Sequence, residues 1–314
     1  MLLAALATAE RALPLYSHRN SPKTFTQHQL FACLVLKNFL KTDYRGVVAH
    51  LADCPSLAET LRLARVPHYT TLQKAARRLL SSVPAKRLLD ATVRQHLGRK
   101  RCVPRTAIDS TGLESSAASG YFVHRRRYVG GPWKTVIYHR FPKLGIVCDV
   151  RTHFILAAQE GRGPRPDVAD FRPLLAAALA RVRMGRIAAD AGFDSEPNHA
   201  FARRECRVRS IIPAKHGRPT TKPATGHYRR LMQTRFDEVA YRDRIQVETV
   251  ISMVKRRLEA FVRGRTSWSQ RRDLWLKVLT HNVMILLHIE VFYRAWRIPF
   301  LMQYLVRIGL RPRP

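Results

Sequence analysis

Four side chains in the last third of the chain, Tyr241, Arg244, Glu248 and Lys255, have types and spacing that could act together on a phosphodiester. Their offsets are 0, 3, 7 and 14 residues. At roughly 100° per residue they fall within about 60° of one another, so a single helix face would carry a phenol, a guanidinium, a carboxylate and an ammonium. In such a set the carboxylate holds a hard divalent cation, while Arg and Lys meet phosphate oxygens. The competing reading is a solvated helix with ordinary charge spacing. What lies upstream weighs against it.

Two more acids share a second pattern. An apolar stretch from Val103 to Ile108 delivers Asp109, followed by Ser110-Thr111-Gly112. Arg186 to Ala189 delivers Asp190, followed by Ala191-Gly192-Phe193. An acid at the end of an apolar strand beside a glycine turn lies at the open edge of an α/β sheet, where ligands bind. Each could instead cap its own turn. Asp194 and Ser195 read as caps of a following helix, and Glu160 and Glu196 have no assigned role. Three carboxylates gathered at one place repel unless cations sit between them. An oxygen-only set suits Mg²⁺ or Mn²⁺, and two ions about 3.5–4 Å apart would serve phosphoryl transfer.

The elements that must position these acids follow in order. Residues 25–80 are helical in pattern, with helices expected over Gln27–Phe39, Tyr44–Leu51, Ser56–Ala64 and Thr70–Leu80, the last capped by Thr70 or Thr71. Gln73, Lys74, Arg77 and Arg78 fall on its exposed side, and the arrangement resembles a helix-turn-helix that could enter a DNA groove. A basic helix, Leu88–Arg101, closes this part. Strands follow at Val103–Ile108, Trp133–His139, Leu144–Val150 and Phe154–Ala158, then a helix over Val168–Arg181 behind Asp167 as N-cap. Next come the strand ending at Ala189, a helix from Ser195, a strand at Val208–Ile212 and a loop-rich basic insert, Pro213–Arg235. The helix with Glu248 comes last, its apolar stripe formed by Val247, Val250, Ile251, Val254 and Leu258. This is the element order of a ribonuclease H-like fold. The expected class is therefore α/β: a mixed sheet flanked by helices, an all-α amino-terminal domain (1–101), a catalytic domain (102–265) and carboxyl-terminal helices (266–314).

Composition bounds the partners. Across 314 residues, 46% hydrophobic and 25% charged content is that of a globular chain. Lys and Arg number 56 against 22 Asp and Glu, a net charge of +34, which repels itself unless a polyanion neutralises it. Nucleic acid is the expected partner. The basic residues are spread through the chain and not gathered on one amphipathic helix, so no membrane role is expected. The most apolar run, Leu274–Phe292, contains Lys277, His281, Asn282, His288 and Glu290 and reads as a buried helix. Five scattered cysteines without C-x-x-C spacing fit a reducing cytoplasm and core filling.

On these residues the sequence resembles the DDE transposases of prokaryotic insertion sequences, in the group marked by Tyr-x2-Arg-x3-Glu-x6-Lys, here Tyr241, Arg244, Glu248 and Lys255. The family's first two acids are matched by Asp109 and Asp190, and the likeness covers roughly Val103 to Arg257. The resemblance implies a catalytic and metal-binding triad of Asp109, Asp190 and Glu248. It implies hydrolysis at the element's ends and transfer of the freed 3′-hydroxyls to target DNA, with no covalent protein intermediate. It further implies double-stranded DNA as partner, as terminal inverted repeats and as target, a homodimer in the DNA complex, and a cytoplasmic, nucleoid-associated location. Tyr241, Arg244 and Lys255 would face phosphates; Lys215, Arg218, Lys222, Arg229 and Arg230 of the insert would track the backbone. Some relatives hold a flipped base on a long insertion that is too short here. Trp133 or Trp268 could take that role, although each reads first as a packing residue. A hydrolytic nuclease of the same fold, or a non-catalytic DNA-binding relic, remains the alternative at this stage.

Overall fold

The computed structural model describes residues 1–98, 101–115, 141–214 and 223–296. The expected strand over Trp133–His139 therefore lies outside the described residues, as do Lys215, Arg218 and Lys222. Six helices come first: α1 (Leu2–Ala12), α2 (Gln27–Phe39), α3 (Tyr44–Asp53), α4 (Pro55–Thr60), α5 (Tyr69–Leu79) and α6 (Ser82–Leu97). α2 has the expected bounds because its start is fixed by a reciprocal cap, in which Thr26 Oγ1 accepts from Gln29 N–H and Gln29 Oε1 accepts from Thr26 N–H. α5 begins one residue early, behind His68 and without a side-chain cap; His68 Nδ1 instead meets Thr70 Oγ1 at 2.8 Å, which occupies the expected capping residue.

The sheet has five strands in the order β4-β3-β1-β5-β6, formed by β1 (Cys102–Gly112), β3 (Phe141–Asp149), β4 (Ile155–Gly163), β5 (Arg183–Ala189) and β6 (Arg209–Ile211). β3 runs antiparallel to both β1 and β4, whereas β5 and β6 run parallel to β1. A two-stranded parallel ribbon, β2 (Glu114–Ser115) with β7 (Phe261–Val262), stands beside it. The remaining helices are α7 (Phe171–Leu179), α8 (Glu196–Ala200, continued as a π-turn), α9 (His227–Thr234), α10 (Glu238–Tyr241), α11 (Arg244–Leu258) and α12 (Ser267–Trp296).

Strand alternation splits the core in two. Ala107, Ile146 and Cys148 face a core shared with α2, α5, α6, α11 and α12, while Ile108, Val147 and Phe154 face α7 and the α8 region. The amino-terminal helices and the sheet thus share one continuous apolar core through Phe31, Leu34, Ala107, Val250 and Trp275. Among the described residues no helix is long and apolar enough to cross a membrane. α12 is buried along Leu274–Leu286, as the mixed polarity of that run implies.

Several expectations need correction. The helix over Val168–Arg181 is shorter: Asp167–Ala169 is a 3-10 turn, and Asp167 does not cap but pairs with Lys143 Nζ at 2.8 Å. The basic insert is not all loop, because α9 forms where Glu196 accepts the Tyr228 and Arg229 N–H groups at 3.1 Å and so caps its start. Cys54 and Cys102 are exposed, so core filling describes Cys33 and Cys148, with Cys206 packed partly buried against the second cluster.

Candidate active site

Register brings the two aspartates together. β1 and β5 are parallel, and their last registered pair is Ile108 with Ala189. The next residues are Asp109, still within β1, and Asp190, the first residue after β5, so the two follow a registered pair on neighbouring strands. β1 does not end at Asp109 as its Ser-Thr-Gly sequel suggests; it continues to Gly112 against β3 alone, with Asp109 opposite Ile146. Beyond Ile108 one side of β1 is therefore open, and both carboxylates stand at that opening. Asp109 Oδ1 accepts from Ser110 N–H at 2.7 Å and Asp190 Oδ1 from Ala191 N–H at 2.6 Å. Turn capping leaves each Asp a second oxygen for another partner.

Asp109 shares the face of Ala107, against which α11 packs. Its carboxyl is pushed up to about 6, chiefly by burial and further by Asp190 and Asp167; the Ser110 N–H and the Arg244 guanidinium oppose the rise. Burial alone would lower the Arg244 pKa, but Glu248, Tyr241, Asp190 and Asp109 together raise it. The Tyr241 phenol is raised, first by burial and then by the same three carboxylates, with Arg244 opposing. The structure thus places Asp109, Asp190, Tyr241, Arg244 and Glu248 within one another's electrostatic reach. Lys255 is half-buried seven residues past Glu248, about 10 Å further along the axis.

The four signature residues do not lie on a single helix. Tyr241 ends α10, and the chain passes through Arg242 and Asp243 with i→i+3 bonds before α11 begins. Asp243 explains the break. Its side chain is 4% exposed and is gripped by Arg105 of β1 and Arg186 of β5: Oδ2 accepts from Arg105 Nε at 3.1 Å and from Arg186 Nη2 at 2.8 Å, and Oδ1 accepts from Arg105 Nη2. Arg105 and Arg186 are a registered pair on adjacent parallel strands, so without Asp243 two guanidiniums would stand side by side. Burial would raise the Asp243 pKa, but the hydrogen bonds and charges of the two arginines outweigh it and lower the pKa. This clamp ties the start of the Glu248 helix to the two strands that carry the aspartates. Sequence reading missed it, since one Asp among Arg residues has no distinguishing spacing. Gln246 adds a second tie, its Oε1 lying 2.7 Å from His153 Nε2 in the β3–β4 turn.

Glu248 is half-exposed and its Oε1 is held by Arg244 Nη2 at 2.7 Å. Among the described residues no three acids, histidines or cysteines are gathered closely enough to hold a metal ion. The donors nonetheless fit a hard divalent cation: they are all oxygens, and Asp109 is held in its raised state by burial and neighbouring carboxylates, which a cation relieves. Glu248, paired with Arg244, is not gathered with the two aspartates.

Other predicted residues divide by environment. Gln73, Lys74, Arg77 and Arg78 are exposed on α5, opposite buried Leu72, Ala75, Ala76 and Leu79. Arg229 is not a free backbone-tracking cation: its Nε donates to Asp194 Oδ2 at 2.8 Å, and the Asp194 side chain is fully buried. That pairing also corrects Asp194 as a cap. Ser195 alone caps α8, accepting from Asn198 N–H at 3.2 Å. Arg230 stays exposed, with Nε on the Ala224 carbonyl at 3.1 Å. Trp268 is 68% exposed and lies under the Arg271 guanidinium at 5.3 Å, so it is not a packing residue. Trp133 lies outside the described residues.

Comparison with known proteins follows the same lines. No curated protein matches the chain by sequence. A solved structure similar to it is that of piggyBac transposase in a synaptic complex with hairpin DNA, at 10% identity and a TM-score of 0.46, covering 93% of this chain and 73% of that one. The family model for the transposase DDE domain matches residues 100–283, more than half of the chain. The sequence belongs to the transposase DDE domain family.

Proposed function

We propose that this protein is the transposase of a prokaryotic insertion sequence: it binds the element's ends, cuts DNA there by metal-dependent hydrolysis and joins the 3′ ends to target DNA. The observation that carries the reading is the pairing of Asp109 and Asp190 at the open end of adjacent parallel strands, with the Arg244–Glu248 helix packed on the same face. The sheet order is consistent with a ribonuclease H-like domain over 102–265, preceded by an end-binding helical part (1–101) and followed by helices (266–314).

Asp109, Asp190 and Glu248 would hold two Mg²⁺ or Mn²⁺ ions, which when bound would activate the attacking oxygen and stabilise the leaving one. The chain's own groups do the rest. Arg244 leaves Glu248 for a phosphate oxygen beside the scissile bond, which frees Glu248 to turn toward the aspartates. Tyr241 orients that phosphate, and Lys255 grips the backbone further along α11. Water attacks phosphorus and the bond to the 3′ oxygen breaks, leaving a 3′-hydroxyl. In the second step that hydroxyl attacks a target phosphodiester and displaces a target 3′ oxygen, so one bond forms as another breaks. Gln73, Lys74 and Arg77 would read base edges in a major groove, and Arg230, with Lys215 and Arg218, would track phosphates. Duplex DNA is the partner, engaged by a homodimer on paired ends in the cytoplasm at the nucleoid.

A strand-transfer assay tests this reading. Incubated with Mg²⁺, a pre-cleaved end duplex and a target plasmid, the protein is expected to give joined product; cutting without joining would leave a hydrolytic nuclease. Affinity for arbitrary duplex should fall steeply with salt, each phosphate contact adding about 0.9 to the log-log slope.

A further inference from the structure

A cavity between α2, the carboxyl-terminal end of α11, β7 and α12 holds more cationic donor than the chain satisfies. Its core measures about 10 Å³, the room one water or one monatomic ion takes. Lys37, Lys41, Arg263 and Lys277 face it, against Glu259 and Asp273. Each carboxylate has a partner of its own: Glu259 Oε2 accepts from Arg263 Nε at 3.1 Å, and Asp273 Oδ2 from Gly264 N–H at 2.8 Å. Two of the cations also have acceptors. Lys277 Nζ donates to the Leu258 and Glu259 carbonyls that end α11, and Lys41 Nζ to the Arg256 carbonyl at 3.0 Å.

One buried donor is left over, Asn38 Nδ2, beside an ammonium that meets only a ring. Lys37 is 5% exposed, and among the described residues its ammonium faces the Tyr44 ring at 4.9 Å with no hydrogen-bond acceptor. Asn38 is 8% exposed, and its Nδ2 has no partner. Burial lowers the pKa of Lys37 and takes Lys277 to about 8, while Asp273 and Glu259 oppose the fall. A buried donor without an acceptor costs stability, and native structures supply one from water or an ion. Next to an ammonium, an anion answers both the hydrogen-bond and the charge deficit.

We infer that this cavity is an anion site, taking one small inorganic anion of chloride size against Lys37 Nζ and Asn38 Nδ2. It lies eleven residues along α11 from Glu248, about 16 Å, and its occupancy does not depend on the catalytic reading. It braces three parts of the chain at one point: α2 of the amino-terminal helices, the end of the Glu248 helix and α12. A phosphate oxygen of bound DNA offers the same chemistry, since Lys41 and Arg263 at the rim are exposed.

Thermal unfolding of the full chain without DNA, in sodium chloride and in sodium gluconate at equal ionic strength, tests the site, because gluconate is too large for the cavity while screening the +34 charge equally. Chloride is expected to raise Tm saturably, by on the order of a few degrees over gluconate. Lys37→Met and Asn38→Leu should each remove that difference; should the first fail to fold, the second and the parent's own salt comparison still decide. Equal Tm in both salts, or a full chloride shift retained in both variants, overturns the inference and leaves a water in the cavity. Repeating the chloride titration with saturating short duplex identifies the source: a shift that persists means a free anion, and one that disappears means that a DNA phosphate takes the place.

Discussion

The sheet edge and the helix that faces it solve the same positioning problem by different means. Asp109 and Asp190 are placed by backbone: parallel register sets one beside the other, and no side chain is needed to hold them there. Glu248 is placed by side chains, through Asp243 clamped between Arg105 and Arg186 and through its own pairing with Arg244. A backbone-placed acid tolerates substitution without loss of fold. A helix start tied down by a buried carboxylate between two guanidiniums does not have that tolerance, and the contrast predicts which residues fail in activity and which fail in stability.

The largest expected effect is on chemistry. Asp109→Asn and Asp190→Asn should each cut DNA cleavage by about a thousandfold or more, since a lost metal ligand removes several kcal/mol of barrier lowering. Asn still accepts from the Ser110 or Ala191 N–H, so thermal unfolding should stay within a few degrees of the parent. A Tm collapse in either variant would mean that these aspartates are structural.

Asp243→Ala should show the opposite profile. It leaves two adjacent guanidiniums unpaired; removing one partner of a buried pair costs about 3–5 kcal/mol, reduced here to about 2–4 because Arg105 is 55% exposed and Arg186 29%. Urea unfolding at neutral pH measures it. Since the Asp243 pKa is depressed, its contribution is present above the unfolded-state carboxylate pKa and is lost as pH falls through the lower folded value. The difference between parent and variant should therefore shrink only in acid.

Asp109 carries the reverse sign. Its folded pKa of about 6 lies above the usual value, so its contribution is fully present below the unfolded pKa and is lost as pH rises through 6. Asp109→Asn should thus be more stable than the parent at pH 7.5, by an order of about 2 kcal/mol without divalent ions, and nearly equal to it at pH 4. Denaturant unfolding at the two pH values checks this. An equal offset at both would mean that the carboxyl is not perturbed.

These contrasts also explain what the sequence could disclose. Asp190 at a strand end, the apolar stripe of α11 and the bounds of α2 follow from local periodicity and capping, which act over a few residues. The two parallel strands that seat the aspartates could be anticipated because apolar runs ending in Asp and Gly repeat. The Asp243 clamp spans residues 105, 186 and 243, and the Arg229–Asp194 pair joins an insert to a turn. Such pairings depend on which charged residue among many meets which, and no spacing encodes that. For the same reason α9 and the exposure of Trp268 were not legible.

The smallest effect concerns the Arg244–Glu248 pair. A half-exposed ion pair one turn apart contributes about 0.3–0.5 kcal/mol, so Arg244→Ala should tighten Mn²⁺ binding about twofold in calorimetry without DNA while weakening duplex affinity. Unchanged metal affinity would show that the pairing does not withhold Glu248.

The account rests on Glu248 acting with the two aspartates although it stands apart from them in the structure. Single-turnover cleavage of an element-end duplex in Mg²⁺, comparing the parent with Glu248→Gln at matched DNA occupancy, tests that most directly. The predicted result is full DNA binding with cleavage lost, as for Asp109→Asn; Mg²⁺-dependent cutting by Glu248→Gln at near the parent's rate would contradict it.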